Sequence, residues 1–361
     1  MPPPPRPRPS RVITSPNRKI VVVTGGCGYI GSHAAAELLR RTRHRVVLVD
    51  NLSRGRRATV GRIAAAAGRP AEFARADLRD PRDLRRALAH LDRVDAVLHL
   101  AALKSVPESV ARPGDYYANN VGGMVNLLAW MRERGCRRVV YSSSCAVYGE
   151  VPAGGGPVDE EQPPGPPASP YAHTKQLGER LLALAPDLRA VALRYFNPAG
   201  ADDSGHLRDD GGEGLASVLC QAAARGLPVR VFGDDYPTPD GTCVRDYVHV
   251  VDVARAHVAA LGWALGEATP AREVVNLGAG RGASVREAIA AFERASGIAL
   301  DVRRAPRRPG DVAAIAADCS RAAALLGWRA ERDLDAVMAS AWRAAGAAAA
   351  GAPIPRAAAT T

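Results

Sequence analysis

The run KIVVVTGGCGYIG, residues 19–31, decides the fold. Its apolar residues are continuous rather than alternating, as in a strand covered on both faces of a parallel sheet. Glycines at 25, 28 and 31 then permit a tight turn, close approach of backbone to a pyrophosphate and close packing of the following helix. A phosphate in that turn sits at a helix N-terminus, where free N–H groups and the helix dipole favour an anion. A second apolar run, RVVLVD (45–50), ends in Asp50, about twenty residues on, where an acid meets an adenosine ribose. A carboxylate there repels a 2′-phosphate and favours NAD over NADP, although Arg54, Arg56 and Arg57 lie close in sequence.

The same rhythm continues outward. DAVLHLAA (95–102), RRVVYSSS (137–144) and RAVALRYFN (189–197) read as further buried strands. Between them lie segments of helical length, such as YYANNVGGMVNLLAWMRER (116–134), closed by Gly135. This alternation predicts an α/β fold with a doubly wound, Rossmann-type parallel sheet. After Asn197 a Gly/Asp-rich loop (200–214) leads into mixed short elements, and Ser284 with Glu287 has capping-box spacing. VVNLGAG (274–280) reads as a buried strand returning to the sheet. We expect an NAD-binding Rossmann domain over 19–197 and a mainly substrate-binding, interleaved lobe over 198–345. Parts of that lobe, such as 247–280, return to the first domain. Residues 1–18 and 346–361 are low-complexity and are expected to be disordered tails.

Composition narrows the class. The six cysteines are scattered without a C-x-x-C pair, which argues against a zinc site or a disulfide framework and for reduced thiols in the cytoplasm. No apolar run approaches the ~20 residues of a membrane span, and the basic, proline-rich start lacks the apolar core of a signal peptide. The net charge of +11 draws on Arg6, Arg8, Arg11, Arg18 and Lys19 of the N-terminal segment. Elsewhere arginines alternate with acids, as in RADLRDPRDLRR, a solvated helix face; nothing resembles a nucleic-acid module.

Three residues form a candidate redox centre. Ser144 ends a buried strand, at the sheet edge where open α/β proteins bind ligands. Tyr171 and Lys175 lie four apart in SPYAHTK and so share a helix face, with Ser169 as N-cap and Pro170 at the first helical position. A phenol with a pKa near 10 is a poor base at neutral pH. A nearby ammonium and a cationic nicotinamide ring are expected to favour the phenolate and lower that value.

In order along the chain, TGGCGYIGS, VDNLS, HLAALKSVPES, YYANNVGG, SSSCAVYG, SPYAHTK, RYFNPAGA, FGDDYPTPDGTCVRDYVHV, NLGAG and APRRPGD together resemble the UDP-galactose 4-epimerases. These are extended short-chain dehydrogenases, and the resemblance covers roughly residues 20–330. TGxxGxxG and YxxxK are shared widely; DYPTPDGTCVRDYVHV is far more specific. The resemblance implies 4-epimerisation of a UDP-hexose, UDP-glucose to UDP-galactose, through a transient 4-keto sugar and retained NADH. It implies that Tyr171 takes the proton of the sugar 4-OH, that Lys175 tunes it and binds the nicotinamide ribose, and that Ser144 hydrogen-bonds the 4-oxygen. Gly25, Gly28, Tyr29, Ile30, Gly31, Asp50, Asn51, Asp77, Leu78, Lys104, Asn119 and Phe196 match the family's NAD contacts. Asn197, Arg245, Arg308 and Asp311 match its contacts to the UDP part, and a homodimer is the family's assembly.

Two departures fall on the substrate side. Where the family has an asparagine- or histidine-leucine-x-proline element facing the diphosphate, this chain reads Gly212-Glu213-Gly214-Leu215-Ala216-Ser217. The sugar-pocket gate, a tyrosine or cysteine in the family, aligns with Ile315. Among competing activities, a 4,6-dehydratase needs an Asp-Glu pair where Cys145 and Ala146 stand, and a decarboxylase of this superfamily needs a glutamate in the same region. A UDP-N-acetylhexosamine or UDP-uronate 4-epimerase remains the alternative, and a non-catalytic NAD sensor would not need Ser144, Tyr171 and Lys175 together.

Overall fold

The computed structural model describes residues 18–151, 156–210, 212–266, 271–308 and 311–349. Its first part runs β1 (Ile20–Thr24), α1 (Tyr29–Arg41), β2 (Arg45–Asp50), α2 (Thr59–Ala67), β3 (Glu72–Arg75), α3 (Pro81–Ala87), β4 (Ala96–His99), α4 (Val106–Ala111), α5 (Pro113–Tyr116), α6 (Gly123–Glu133), β5 (Arg138–Ser144), α7 (Pro170–Ala183) and β6 (Arg189–Tyr195). The second part runs β7 (Asn197–Ala199), α8 (Leu215–Arg225), β8 (Val229–Phe232), β9 (Val244–Arg245), β10 (Tyr247–His249), α9 (Val250–Gly266), β11 (Ala271–Leu277), β12 (Ala283–Ser284), α10 (Val285–Ser296), β13 (Val302–Ala305), β14 (Ala314–Ile315), α11 (Ser320–Leu326) and α12 (Leu334–Ala349).

Seven parallel strands form one sheet in the order β11-β6-β5-β4-β1-β2-β3. The order reverses between β1 and β4, so their carboxyl ends open a crevice at the topological switch point. Both faces are covered. One face packs Val21, Val23 and Leu48 against Leu38 of α1 and Val253 and Leu261 of α9. The other packs Val22, Val47 and Val97 against Leu127, Trp130 and Met131 of α6. Helix α9 and strand β11 belong to this body, because α9 packs on α1 and β11 pairs with β6 from Ala271↔Arg189 to Leu277↔Tyr195. A smaller lobe gathers α8, α10 and α12 around Leu219, Ile289, Phe292 and Met338, with the short pairs β8–β13 and β12–β9–β14 at its edge.

Local rules account for the helix starts. Ser169 accepts from the Ala172 amide with Pro170 at the first helical position, and Ser284 and Glu287 close a reciprocal capping box. Two elements depart from expectation. Tyr117–Gly122 is π-helical rather than part of one continuous α-helix. The alanine-rich α12 extends to Ala349, into the segment expected as a tail, because alanine is the best helix former. The other expected tail residues, 1–17 and 350–361, lie outside the described residues. Among the described residues no helix is long and apolar enough to cross a membrane.

Candidate active site

The glycine turn is shaped by contact as well as by conformation. Gly25 has φ +68°, and a Cβ there would come within 2.6 Å of the Ala101 nitrogen. A Cβ on Gly31 would lie 2.1 Å from the Gly25 carbonyl oxygen. Gly28 opens α1 without a side-chain cap, so the first amides of the helix stay available. Asp50 braces the turn: one carboxylate oxygen accepts from the Cys27 amide (3.0 Å), the other from the Leu52 amide (2.8 Å). Leu52 is held at φ +62°, a conformation that a non-glycine residue adopts only when its surroundings enforce it. Burial raises the Asp50 pKa, and these two amides act against that rise.

A cleft runs from this turn past Asp50, Asn51, Leu78 and Asn119. The Asn51 amide donates to Asp77 (3.1 Å), and Arg79 beside Asp77 holds that carboxyl down at about 2. Two neighbouring arginines have other partners: Arg54 pairs with Glu108, and Arg57 lies over the Phe73 ring at 4.4 Å. A carboxylate at the strand end, a backbone cradle that a Cβ would fill and a helix N-terminus fit a dinucleotide with a free 2′-hydroxyl.

The remaining cofactor candidates are distributed differently. Ile30 packs on the sheet core, and the Tyr29 hydroxyl donates to the Gly200 carbonyl (2.7 Å), tying α1 to the loop of the second part. The Asn119 amide donates to Asn120. Sequence reading overlooked Asn120, which exchanges bonds with both Leu103 backbone groups and donates to Thr174. Lys104 lies outside the cleft: its side chain is 62% exposed and its nearest acid is Asp209, at 3.9 Å. Phe196 is buried with Val147, Tyr148 and Ile315.

Ser144, Tyr171 and Lys175 come together at the carboxyl edge of β5. The Ser144 hydroxyl accepts from the Ala146 amide (3.2 Å) and so caps the single turn Cys145–Tyr148. Helix α7 lies close on β5 because residue 178 is glycine; a Cβ there would be 2.2 Å from the Tyr141 hydroxyl. The Lys175 ammonium donates to the Ser142 carbonyl (2.6 Å) and stands 5.8 Å from the centre of the Tyr171 ring.

Burial enters the electrostatics of the site, which residue spacing alone does not show. Burial pushes the Tyr171 phenol up to about 12, with the Ser144 hydroxyl acting in the opposite direction. Burial also brings Lys175 down to about 8. The ammonium spends its short hydrogen bond on a backbone carbonyl, and desolvation outweighs its pull on the phenol. A cationic nicotinamide bound beside the phenol would supply the opposing pull. His99, also overlooked, bonds Thr24 (2.8 Å), stacks on Tyr141 and stays neutral, its pKa brought down to about 3 by burial. Its only signal in the sequence was a polar residue in an apolar strand, DAVLHLAA.

On the substrate side, residues far apart in sequence meet. Arg245 donates to the Val312 carbonyl (2.7 Å) and lies 3.4 Å from one oxygen of Asp311; Arg308 bonds the other oxygen (3.0 Å) while lying over the Phe232 ring. Asn197 and Tyr247 are paired in β7 and β10. Ile315 is paired with Arg245, is 6% exposed and packs with Phe196, Val147 and Tyr148. Gly214 opens α8 with no side-chain cap, and the space around it is open. Asp246, a third residue overlooked, is fully buried and clamps the Ala279, Gly280 and Ala317 amides (2.6, 3.1 and 3.0 Å). It stood in the family motif, but no spacing rule marked it as an anchor.

The chain is similar to known proteins over most of its length. The model of the NAD dependent epimerase/dehydratase family matches residues 21–278. A UDP-glucose 4-epimerase of Neisseria meningitidis serogroup B is 44% identical over 333 residues, 90% of this chain and 96% of that protein. The UDP-glucose-4-epimerase of Stenotrophomonas maltophila, solved with bound NAD and formylated UDP-arabinopyranose, has a TM-score of 0.87 and 42% identity, covering 93% of this chain and 100% of that one. The enzyme of Bifidobacterium longum in complex with NAD+ and UDP has a TM-score of 0.86 and 39% identity, covering 92% and 100%.

Proposed function

The chain belongs to the NAD dependent epimerase/dehydratase family, and on that premise we propose that it is a UDP-hexose 4-epimerase interconverting UDP-glucose and UDP-galactose. The observation that carries this reading is the composition of the carboxyl edge of β5: Ser144, Tyr171 and Lys175 meet there, while Cys145 and Ala146 follow where an eliminating enzyme would need an acid and a base. Burial pushes the Cys145 thiol up to about 12, so it supplies neither at neutral pH.

NAD, which the glycine turn and Asp50 would hold, would supply a hydride acceptor and donor for C4 of the sugar. Tyr171 takes the proton of the 4-hydroxyl and gives it back, as a positioned general base and acid. Ser144 holds the 4-oxygen, and Lys175 orients the nicotinamide ribose. Arg245 and Arg308 bind the diphosphate, for which permanently charged, forked donors are suited, and Asp311 orders both guanidiniums. The 4-keto sugar turns over in the pocket between the two transfers, so the enzyme keeps its cofactor throughout.

Purified protein incubated with UDP-glucose, without added cofactor, is expected to form UDP-galactose by proton NMR, and denaturation is expected to release NAD. No epimer from any member of a UDP-sugar panel would refute the reading. A second substrate class has one specific support. Isoleucine at 315 is shorter than the tyrosine that closes the pocket in some relatives, which leaves space for a 2-acetamido group on a UDP-N-acetylhexosamine.

The reading also takes the cytoplasm as the site of action and a homodimer as the assembly. All six cysteines are free thiols, as suits a reducing compartment. Val106 and Val110, one turn apart on α4, are exposed apolar side chains that a second copy would cover. Light scattering on the purified protein tests the assembly; a monomer at micromolar concentration would remove it.

A further inference from the structure

Behind the redox centre lies a buried ion pair that the proposed chemistry leaves unused. Glu179 stands one turn after Lys175 on α7. Its carboxylate accepts two bonds from Arg194 (2.9 and 2.7 Å) and one from the Ser143 hydroxyl (2.5 Å). The Arg194 and Glu179 side chains are only 4% and 11% exposed.

The partners come from the elements that carry the site. Ser143 immediately precedes Ser144 on β5, and Arg194, its register partner on β6, lies two residues before Phe196. The Arg194 guanidinium also lies 4.7 Å from the centre of the Tyr148 ring, and Tyr148 closes the turn that Ser144 opens. The Tyr148 hydroxyl in turn donates to Asn276 of β11 (2.7 Å). A buried ion pair is a poor source of net stability, because desolvation offsets the attraction. What this one supplies is register between three elements.

We propose that Glu179 is a positioning residue of the redox centre: it locks the strand end bearing Ser144 to the helix bearing Tyr171 and Lys175, and keeps a negative charge one turn from the Lys175 ammonium. The catalytic half of this proposal rests on the epimerase reading; the effect on Lys175 does not.

The titratable groups facing Lys175 are Tyr171 and Glu179 on its own helix, Tyr141 on β5 and His99 on β4, with Tyr195 of β6 behind Tyr141. Burial raises the three phenols and lowers His99, whereas Glu179 raises the Lys175 pKa. Without that carboxylate the ammonium loses its proton at lower pH.

The chain has three lysines, Lys19, Lys104 and Lys175, which makes a direct measurement simple. Lysine-ε-13C NMR of the NAD-loaded protein, assigned with Lys175→Met, would follow the Lys175 titration in wild type, Glu179→Gln and Glu179→Gln/Arg194→Met. The midpoint is expected to fall by about one unit in both variants. Kinetics on UDP-glucose are expected to show kcat lowered about 10–100-fold with KM within about threefold, and the alkaline limb of kcat moved to lower pH.

The double variant leaves no stranded guanidinium and is expected to regain thermal stability while keeping the low kcat; it decides the matter if the single variant does not fold. An unmoved Lys175 midpoint overturns the proposal. So does wild-type kcat in the double variant, or a rise in KM alone. An inactive wild type would refute the epimerase reading instead, and the NMR titration would still score Glu179.

Discussion

The redox centre and the diphosphate side of the cleft are built on opposite principles. At the redox centre the groups are held between strand and helix and are mostly neutral: Lys175 is 3% exposed, Ser144 and Tyr171 are partly buried with the phenol pushed up to about 12, and the supporting carboxylate already has its arginine. On the other side the groups are charged and partly in water: the Arg308 side chain is 61% exposed and shares Asp311 with Arg245. The first region is carried by adjacent strands and one helix, so its geometry follows from sheet register. The second is assembled from loops and two-residue strands. Chemistry that requires placement within fractions of an ångström sits on the sheet, and recognition that tolerates adjustment sits on the connections.

The most forceful way to test this division is Tyr171→Phe, which removes one hydroxyl and little packing. Turnover is expected to fall by about 10²–10⁴-fold with NAD content and UDP affinity kept, read from product NMR and from nucleotide released on denaturation. Activity within a few-fold of wild type would move the base elsewhere, with Ser144 next in line. Arg245→Met should do the reverse. UDP binding by calorimetry is expected to weaken by about 1.5–3 kcal/mol, the loss of a charged hydrogen-bond donor, while kcat at saturation changes little. A collapse of kcat would mean that the two regions are not separable.

Smaller effects sharpen the boundary. Ile315 touches both regions, paired with Arg245 and packed beside the turn that Ser144 caps. Ile315→Tyr is expected to reduce kcat/KM for UDP-N-acetylhexosamines relative to UDP-hexoses by about 1–3 kcal/mol, the usual range for a size gate. Equal losses for both sugars would remove Ile315 from the pocket. Gly214→Asn has the smallest expected effect. Its backbone is extended and its surroundings open, so an added amide at the α8 N-terminus should tighten UDP binding by up to ~1–2 kcal/mol in calorimetry. Weaker binding would show that this helix end does not face the diphosphate.

How much of this was legible follows the same division. Strands β1, β2, β4, β5 and β6 were readable because burial on both faces leaves continuous apolar runs. Strand β3, EFAR, was not: it lies at the sheet edge with a single buried residue, Ala74. The turn glycines and Asp50 were readable because phosphate binding fixes their spacing. Asn120 and Glu179 were not, since their partners are 17 and 15 or more residues away and only the folded chain brings them close. The burial that raises the Tyr171 pKa is not readable either, because sequence shows a neighbouring ammonium but not the depth at which the phenol sits. Lys104 was carried over from the family pattern, and here it turns to the acidic loop.

The brace at Asp50 limits how this protein could change. Replacing that carboxylate is the obvious first step toward a cofactor bearing a 2′-phosphate, and Arg54 and Arg57 already stand nearby. The same two oxygens, however, hold the Cys27 and Leu52 amides, one in the glycine turn and one in left-handed backbone. A substitution that welcomed the phosphate would release the turn on which every dinucleotide depends. Exchange of cofactor is therefore not open by a single step: Leu52 would first have to become a residue at ease with positive φ, such as glycine or asparagine. Selection acting on cofactor choice at position 50 is bound to the history of position 52.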